Sequence, residues 1–287
     1  MRGDPRLERL ITLLRNAVQP PSGRKRILVA LTFGIVCHTI FAAAVVSMIV
    51  AMFFGMSESL GNVPWPWAYI TNAILVLQFP LAHSWLLTRR GGKLLSGLFP
   101  GLYGATLSTT TYAIVASLQL LVLFLFWTPT GIVWWRAEGV VFWVICFAYC
   151  CSWLLLVKAS FDAGAEVQSG ALGWLSLLGN VKPVFPDMPN LGLFRFIRHP
   201  IYASFTLTLW TVPVWTPDQL FLAVCLTCYC IGAPLLKERR FSQRYGERFH
   251  TYRSTVPYFL PNIRRRGPVL PSSEARRPHG TDEGRIS

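Results

Sequence analysis

Six long apolar stretches, separated by short polar segments, occupy most of the chain. They are residues 27–54, 67–87, 107–127, 139–157, 201–215 and 218–236. A helix needs about 20 apolar residues to cross a hydrocarbon core about 30 Å thick, so the first four are long enough, the fifth is short and the sixth is marginal. The pattern predicts an all-α, polytopic membrane bundle of about six transmembrane helices that ends in a C-terminal helical hairpin.

A basic and aromatic segment, residues 237–261, follows the last apolar stretch. Its residues Phe241, Tyr245, Phe249 and Tyr252 recur at spacings of four, four and three. This spacing puts the four rings on one face of a helix, with basic residues on the other faces. The plain interpretation is an amphipathic helix at the cytoplasmic membrane surface.

The same pattern divides the chain into four zones. Residues 1–26 are predicted to form a basic cytoplasmic tail, and 27–158 a four-helix transmembrane block. Residues 159–261 hold a cytoplasmic loop, the hairpin and the amphipathic helix, and we expect the chemistry there. Residues 262–287 are rich in Pro, Gly, Ser and Arg, and this composition is typical of a disordered tail.

Composition and charge support a membrane protein and argue against a nucleic-acid-binding one. Only 14% of the 287 residues are charged, against about 25% in soluble domains. The net charge is +14, but seven of the 27 Lys and Arg precede the first apolar stretch and twelve follow the last. Six spans with both termini in the cytoplasm satisfy the positive-inside rule, and the excess charge favours anionic lipid. The expected location is a bacterial inner membrane.

Neither a cleaved signal peptide nor a disulfide framework is predicted. About 25 mostly polar residues precede the first apolar stretch, which is therefore expected to stay as an anchor. All seven cysteines lie in apolar stretches, where free Cys behaves as a small hydrophobe. Cys225-x-x-Cys228 lacks the polar setting of a redox or metal pair, so no metal site is predicted.

A polar tripeptide, Arg198-His199-Pro200, stands at the entrance of the hairpin, and Glu238 follows its second arm. Pro is favoured at the first helical position, so Arg198 and His199 should lie just outside a helix N-terminus that attracts carboxylate or phosphate. Ionisable groups are costly near hydrocarbon, and their clustering indicates a site. The alternatives are interfacial anchors for Arg198 and Tyr202 and an exposed salt bridge for Glu238.

Three sequence elements occur together around this hairpin. They are Arg198-His199-Pro200-x-Tyr202, Glu238 seven residues before Tyr245-Gly246, and the ending Tyr252-x-x-x-Val256-Pro257-x-x-x-Pro261. Jointly, over residues 191–261, they resemble the isoprenylcysteine carboxyl methyltransferase superfamily. Ala82-His83-Ser84, the run 108–112 and residues 125–127 before Val133-Trp134 are similar to its branch of methanethiol S-methyltransferases and NnrU-like proteins.

The resemblance implies S-adenosylmethionine as the methyl donor, bound on the cytoplasmic side between the last two helices and the C-terminal segment. Carried over to this chain, Arg198, His199 and Tyr202 would line the cofactor pocket. Glu238 would face the methionine ammonium or the ribose, and the stretch from Tyr252 to Pro257 would close over the adenine. Independently, no glycine-rich loop follows a strand and opens a helix, which excludes a soluble Rossmann-type methyltransferase.

The choice of acceptor decides whether a base is needed. Methyl transfer from a sulfonium is an in-line displacement, in which the protein mainly positions the reactants and excludes water. A carboxylate needs no base, but a thiol with a pKa of about 8.5 is mostly protonated, and its thiolate is the nucleophile. His199, beside Arg198, is the candidate base, with a structural role capping the fifth helix as the alternative. His83 is a candidate substrate residue, and His38 is expected to be a packing residue.

The sequence therefore predicts an integral-membrane, S-adenosylmethionine-dependent methyltransferase acting on a small or lipophilic acceptor, with a thiol favoured. Two alternatives stay open. One is a protein-S-isoprenylcysteine-type carboxyl O-methyltransferase, and the other is a non-catalytic membrane scaffold or lipid-binding protein. The expected partners are the methyl acceptor and the lipid bilayer, with neither metal nor nucleic acid.

Overall fold

The computed structural model describes residues 4–99 and 102–261, and this part of the chain is a bundle of helices with one two-stranded sheet. The helices are α1 (Pro5–Val18), α2 (Arg24–Phe53), α3 (Trp67–Leu86), α4 (Arg89–Gly97), α5 (Leu102–Leu125), α6 (Gly139–Gln168), α7 (Ala171–Leu178), α8 (Pro200–Trp210), α9 (Pro217–Tyr245) and α10 (Glu247–Thr255). A 3-10 turn (Gly192–Arg195) precedes α8, and the strands are β1 (Trp135–Arg136) and β2 (Val214–Trp215). The predicted all-α membrane bundle is confirmed, whereas the predicted tail 262–287 lies outside the described residues.

The number of membrane-crossing helices is smaller than the six expected. Within the described residues, α2, α5, α6 and α9 are each long and apolar enough to cross a bilayer. Helix α3 qualifies only together with α4, from which it is bent by 88°, so the count is four, or five if this bent pair is one span. The stretch 201–215 is missing from either count, because its helix, α8, has only 11 residues, and α3 is missing from the lower count.

The hairpin nevertheless matches the thickness of a bilayer. After α8 the chain becomes extended, and Trp215 pairs with Trp135 and Val214 with Arg136 in an antiparallel ladder. At the opposite end His199 contacts Glu238 of α9. Between these two contacts α9 runs from Pro217 to Glu238, about 32 Å at 1.5 Å per residue. The short helix and the extended segment together therefore span the length that a hydrocarbon core requires, with backbone groups paired in the sheet.

A second polar cluster joins the helices at the sheet end of the bundle. The buried carboxylate of Asp218 accepts hydrogen bonds from Trp127 Nε1 at 3.0 Å and from the amide of Thr130 at 3.0 Å. Thr216 caps α9 by accepting from the amide of Gln219 at 2.9 Å. These bonds fasten the loop after α5 to the start of α9, which gives Asp218 a structural role.

Helix α9 continues through the segment that the sequence assigned to a separate amphipathic helix. It ends at Tyr245, and Gly246, with a φ of +51°, turns the chain into α10. The predicted aromatic face is present, but it folds on itself across this turn instead of lying free at a membrane surface. Phe249 and Tyr252 are buried with Met188, and Phe241 and Tyr245 pack against them.

The N-terminal segment is tied to the bundle by buried ion pairs. Helix α1 places Arg6 against Asp162 and Arg9 against Glu166 of α6, the latter pair at 2.6 Å. Both acids are only 3% exposed. Asp162 also accepts a hydrogen bond from the amide of Leu193 at 2.8 Å. The network thereby holds the 3-10 turn that leads directly into Arg198 and His199.

Candidate functional site

Arg198 and His199 lie where the sequence places them, immediately before α8. Pro200 is the first residue of this helix and His199 is its N-cap, because the fixed φ of Pro suits that position and its missing N–H costs nothing there. The amide of Arg198 donates to the carbonyl of Pro257 at 2.9 Å. This bond brings the C-terminal segment against the start of α8.

Glu238 is the centre of the cluster. It lies on α9 with its side chain only 6% exposed, and its Oε1 accepts hydrogen bonds from Arg198 Nε at 2.8 Å and His199 Nε2 at 2.9 Å. Its Oε2 is 3.5 Å from Arg253 Nε on α10. A buried carboxylate needs such partners, because an unpaired charge away from water is strongly destabilising. The polar flanks of the hairpin therefore meet in one site.

The remaining contacts of Arg198 clamp the C-terminal segment. Its Nη1 donates to the carbonyl of Arg253 at 3.0 Å and to that of Val256 at 2.5 Å. Its guanidinium also lies 5.4 Å from the ring centre of Tyr258. These contacts use Nε and Nη1, so Arg198 ties Glu238 to the segment that covers it.

His199 presents one buried nitrogen without a partner. The carboxylate of Glu238 requires a donor, so Nε2 carries the hydrogen and Nδ1 is left as a lone-pair acceptor. In the described part of the structure Nδ1 is buried and has no hydrogen-bond partner. Burial lowers the pKa of His199 to about 4, since desolvation and the charges of Lys237 and Arg198 outweigh the hydrogen bond to Glu238. The neutral imidazole is therefore ready to accept a hydrogen bond.

A groove of about 420 Å³ opens beside Glu238, within the range of about 300–1,000 Å³ that is typical of small-molecule sites. It is lined by Leu235, Glu238, Arg239, Ser242, Gln243 and Arg253. A carboxylate, a hydroxyl and an amide supply both donors and acceptors at its wall. Glu238 suits an ammonium group or ribose hydroxyls, whereas the guanidinium groups of Arg239 and Arg253 in the same wall suit a carboxylate.

The other predicted donor-site residues occupy three different positions. Tyr202 lies in the first turn of α8, with its ring 6.1 Å from that of His199. Tyr252 is 3% exposed and its hydroxyl donates to the carbonyl of Phe194 at 2.7 Å, so it holds α10 against the 3-10 turn. Pro257 contributes its carbonyl to the amide of Arg198.

The two intramembrane histidines have different neighbours. His83 of α3 faces Tyr112 of α5, whose hydroxyl is 2.8 Å from Nε2. His38 of α2 accepts a hydrogen bond from Trp174 Nε1 at 3.1 Å. It lies in a larger groove of about 630 Å³ on α2 and α7, whose wall is otherwise nearly all apolar. The charged chemistry is at the Glu238 groove, so size alone does not identify the site.

Three contributors to the site were missed from the sequence. Tyr258 places its ring 4.7 Å from His199, and its position just after Val256-Pro257 in the recognised ending was the available signal. Arg253 is one of many cations in the basic segment 237–261, so the sequence alone did not single it out. Asp162 could not be found from sequence, because its partner Arg6 is 156 residues away. In the described residues no group of His, Cys, Asp and Glu has a metal-binding arrangement.

Fold and site together define an integral-membrane α-helical bundle with a buried, ionised site where the last two helices and the C-terminal segment meet. The chain is 25% identical to methanethiol S-methyltransferase of Pseudomonas deceptionensis, over 74% of this chain and 80% of that protein. It is 26% identical to the protein of the same name from Mycobacterium tuberculosis, over 68% and 78% of the two chains. It is also 32% identical to Nurim of Rattus norvegicus, over 54% of this chain and 61% of Nurim.

These relatives confirm the resemblance to the isoprenylcysteine carboxyl methyltransferase-like superfamily that the motifs indicated. No family model matches the chain, and no solved structure gives a significant match. The placement therefore depends on relatives of low identity that cover most of the chain, together with the motif residues that the fold brings into one cluster.

Proposed function

We propose that this protein is an integral-membrane methyltransferase that uses S-adenosylmethionine and acts on a small or lipophilic acceptor, with a thiol favoured. The observation that carries the proposal is the buried cluster of Arg198, His199 and Glu238 beside an open groove. Six relatives that cover about two thirds or more of this chain are named methanethiol S-methyltransferase, which supports both the reaction class and the thiol.

The donor would bind in the groove beside Glu238, on the cytoplasmic side in the predicted topology. Glu238 would take the methionine ammonium or the ribose through Oε2, which has only the long contact to Arg253. His199 Nδ1 would accept a further hydrogen bond from the ligand. Tyr258 and the stretch from Tyr252 to Pro257 would cover the bound molecule, while Tyr202 would line the inner wall.

S-adenosylmethionine supplies an already activated methyl group on a sulfonium. The residues of this chain therefore need to bind the donor and the acceptor, to orient them and to exclude water. They do not need to generate a strong electrophile. The pKa of His199, lowered to about 4, favours a hydrogen-bonding role over a role as the base, because an effective base has a pKa near the working pH. Arg198 then acts by positioning Glu238.

Two other functions have specific support. A carboxyl methyltransferase acting on a prenylated cysteine fits the shared superfamily motifs. A non-catalytic membrane scaffold is favoured by the match to Nurim, whose name specifies no reaction and whose identity, 32%, exceeds that of the methyltransferases quoted above. Donor binding separates the scaffold from both enzymes, and the acceptor separates the two enzymes.

The test is a titration of the purified protein in detergent with S-adenosylhomocysteine, followed by radiolabelled methyl transfer. We expect saturable binding and transfer to methanethiol. Absence of binding would contradict both enzymatic proposals and favour the scaffold. Transfer to a farnesyl-cysteine analogue, with none to methanethiol, would replace the thiol with the carboxylate. Protein heated until it loses its thermal unfolding transition controls for partitioning of the labelled products into micelles.

A further inference from the structure

A further polar cluster, distinct from the one around Asp218, lies where α3 and α5 approach α8 and α9. His83 of α3 and Tyr112 of α5 form its base, with the Tyr112 hydroxyl 2.8 Å from Nε2 and 3.0 Å from Nδ1 of His83. Tyr229 of α9 lies close to Ser84 and to the hydroxyls of Tyr112 and Tyr202. Four helices thus contribute hydroxyl or imidazole groups to one place among otherwise apolar spans.

Arg240 supplies a positive charge at the mouth of this cluster. Its Nη1 donates to the carbonyl of Leu87 at the end of α3, at 3.3 Å. Its charge acts on His83, Tyr112, Tyr202 and Tyr229. Phenol hydroxyls that can donate, together with a guanidinium, form a set that complements an anion. Structural hydrogen bonding between α3 and α5 explains the pair of His83 and Tyr112, but it does not explain the convergence of all five groups.

We propose that this cluster binds the reacting sulfur of the methyl acceptor as an anionic thiolate. Its members are His83, Tyr112, Tyr202, Tyr229 and Arg240. The proposal depends on the proposed function. A carboxylate shares the anionic chemistry, and the thiolate is chosen because the cluster is embedded among apolar and aromatic neighbours such as Phe79, whose ring lies 5.0 Å from His83 and 6.2 Å from Tyr229. Such surroundings desolvate an anion, which disfavours a strongly hydrated carboxylate more than a soft sulfur.

The acceptor cluster and the donor groove share a wall. His199 and Tyr202 are in ring contact at 6.1 Å, so the acceptor sulfur and the methyl carbon would come together beside these two rings, at the start of α8. Transfer forms a carbon–sulfur bond to the acceptor and breaks the sulfonium carbon–sulfur bond, whose electron pair stays on the departing sulfur. The proton of the acceptor leaves to water when the thiolate binds, so the reaction needs no further reagent.

The test measures acceptor binding without turnover. Protein saturated with S-adenosylhomocysteine has no methyl group to transfer, so 1-butanethiol can be titrated into it and its dissociation constant measured. We expect Tyr112→Phe and Arg240→Gln to weaken butanethiol binding at least tenfold and to leave S-adenosylhomocysteine affinity within twofold. The matched controls are Tyr149→Phe, which removes another interhelical hydroxyl bond (to the Ile49 carbonyl, 2.8 Å), and Arg244→Gln on the exposed part of α9.

A pH profile separates binding of an anion from a merely structural role. We expect the rate with butanethiol to rise with pH and to level off with a midpoint below the pKa of free butanethiol, because the site would stabilise the thiolate. Arg240→Gln should move that midpoint upward. Unchanged butanethiol affinity and an unchanged midpoint in both variants, with S-adenosylhomocysteine still bound, would overturn the acceptor site alone. Failure of the wild type to bind S-adenosylhomocysteine would overturn the donor site and this proposal together. Tighter binding of butyrate than of butanethiol would overturn the thiolate assignment.

Discussion

Replacing Glu238 with Gln removes the negative charge of the candidate site while keeping its shape. The side chain is 6% exposed and holds Arg198 at 2.8 Å and His199 at 2.9 Å. Gln keeps one oxygen for these donors, whereas Ala would leave the buried charge of Arg198 without its carboxylate. Removing one partner of a buried ion pair costs about 3–5 kcal/mol, so Ala would confuse a loss of folding with a loss of binding.

The expected effect on donor binding follows from the worth of one charged hydrogen bond. Such bonds contribute about 1.5–3 kcal/mol, and each 1.4 kcal/mol changes a dissociation constant about tenfold. We therefore expect Glu238→Gln to weaken S-adenosylhomocysteine binding by about 10- to 100-fold. The thermal unfolding transition should remain cooperative.

The assay is isothermal titration of the purified protein with two ligands. S-adenosylhomocysteine has both the amino-acid group and the ribose, whereas 5′-methylthioadenosine lacks the amino-acid group. If Glu238 binds the ammonium, the variant should lose affinity for the first ligand only. If Glu238 binds the ribose, it should lose affinity for both. The comparison resolves the alternative that the sequence left open.

Glu247→Gln is the matched control, because it removes the same charge from the exposed start of α10. We expect this control to bind both ligands like the wild type. The reasoning is refuted if Glu238→Gln binds S-adenosylhomocysteine within twofold of the wild type while its unfolding transition is unchanged. In that case the buried cluster would be a structural ion pair and the donor would bind elsewhere.

Three further predictions concern the surroundings of Glu238. The pKa of His199 is lowered from 6.5 to about 4. Between pH 6.5 and pH 4 the unfolded chain therefore binds a proton at His199 that the folded chain excludes. Thermal stability should fall as the pH falls through this range, and it should fall less steeply in His199→Gln. Tyr258→Ala should weaken S-adenosylhomocysteine binding about 3- to 30-fold, from lost ring contacts with His199 and Arg198, whereas Tyr258→Phe should change it less than threefold. Asp162→Asn should lower the melting temperature by several degrees, because it removes the buried charge that pairs with both Arg6 and Lys158.

Each of these predictions has a control or a contradicting outcome. Equal stability slopes for the wild type and His199→Gln would show that His199 does not titrate as stated. Equal losses in Tyr258→Ala and Tyr258→Phe would place the effect in the hydroxyl bond to the Ile231 carbonyl, 2.9 Å long, and not in the ring. For Asp162, the control is Asp187→Asn, which removes the more exposed pair with Arg248 and should cost only about 0.2–1 kcal/mol.

The long apolar helices could be predicted from the sequence because their signal is local. A run of about 20 apolar residues is enough to indicate a span, and α2 and α6 contain such runs. The end of α8 at Trp210 had a local signal in Pro213, because helices usually end at or before the residue that precedes a proline. The partners of the extended segment after it could not be predicted, because they lie elsewhere in the chain. Gln219 Nε2 bonds the Leu209 carbonyl at 2.8 Å, and Trp135 takes Trp215 into the sheet.

The sequence identified the main residues of the candidate site, but it did not show the role of each residue. Arg198, His199 and Glu238 were recognised as a motif, and the fold brings them into one cluster. The roles depend on partners that a linear pattern does not show, since Arg198 is occupied by carbonyls of residues 253 and 256. The four aromatic residues at helical spacing indicated an interfacial helix, yet they pack on themselves because Gly246 bends the chain between them.

Helix α9 keeps opposite charges on opposite sides. Glu238 faces α8 and the C-terminal segment, while Arg240 reaches the end of α3. In the proposed reaction Glu238 would hold the ammonium or ribose of the donor, and Arg240 would attract the anionic thiolate to the other side of the wall formed by His199 and Tyr202. Transfer removes the charge of the thiolate, so the uncharged thioether loses its attraction to Arg240, whereas the donor product keeps the groups that contact Glu238. The charge of Arg240 that favours binding of the acceptor therefore also favours release of the methylated product.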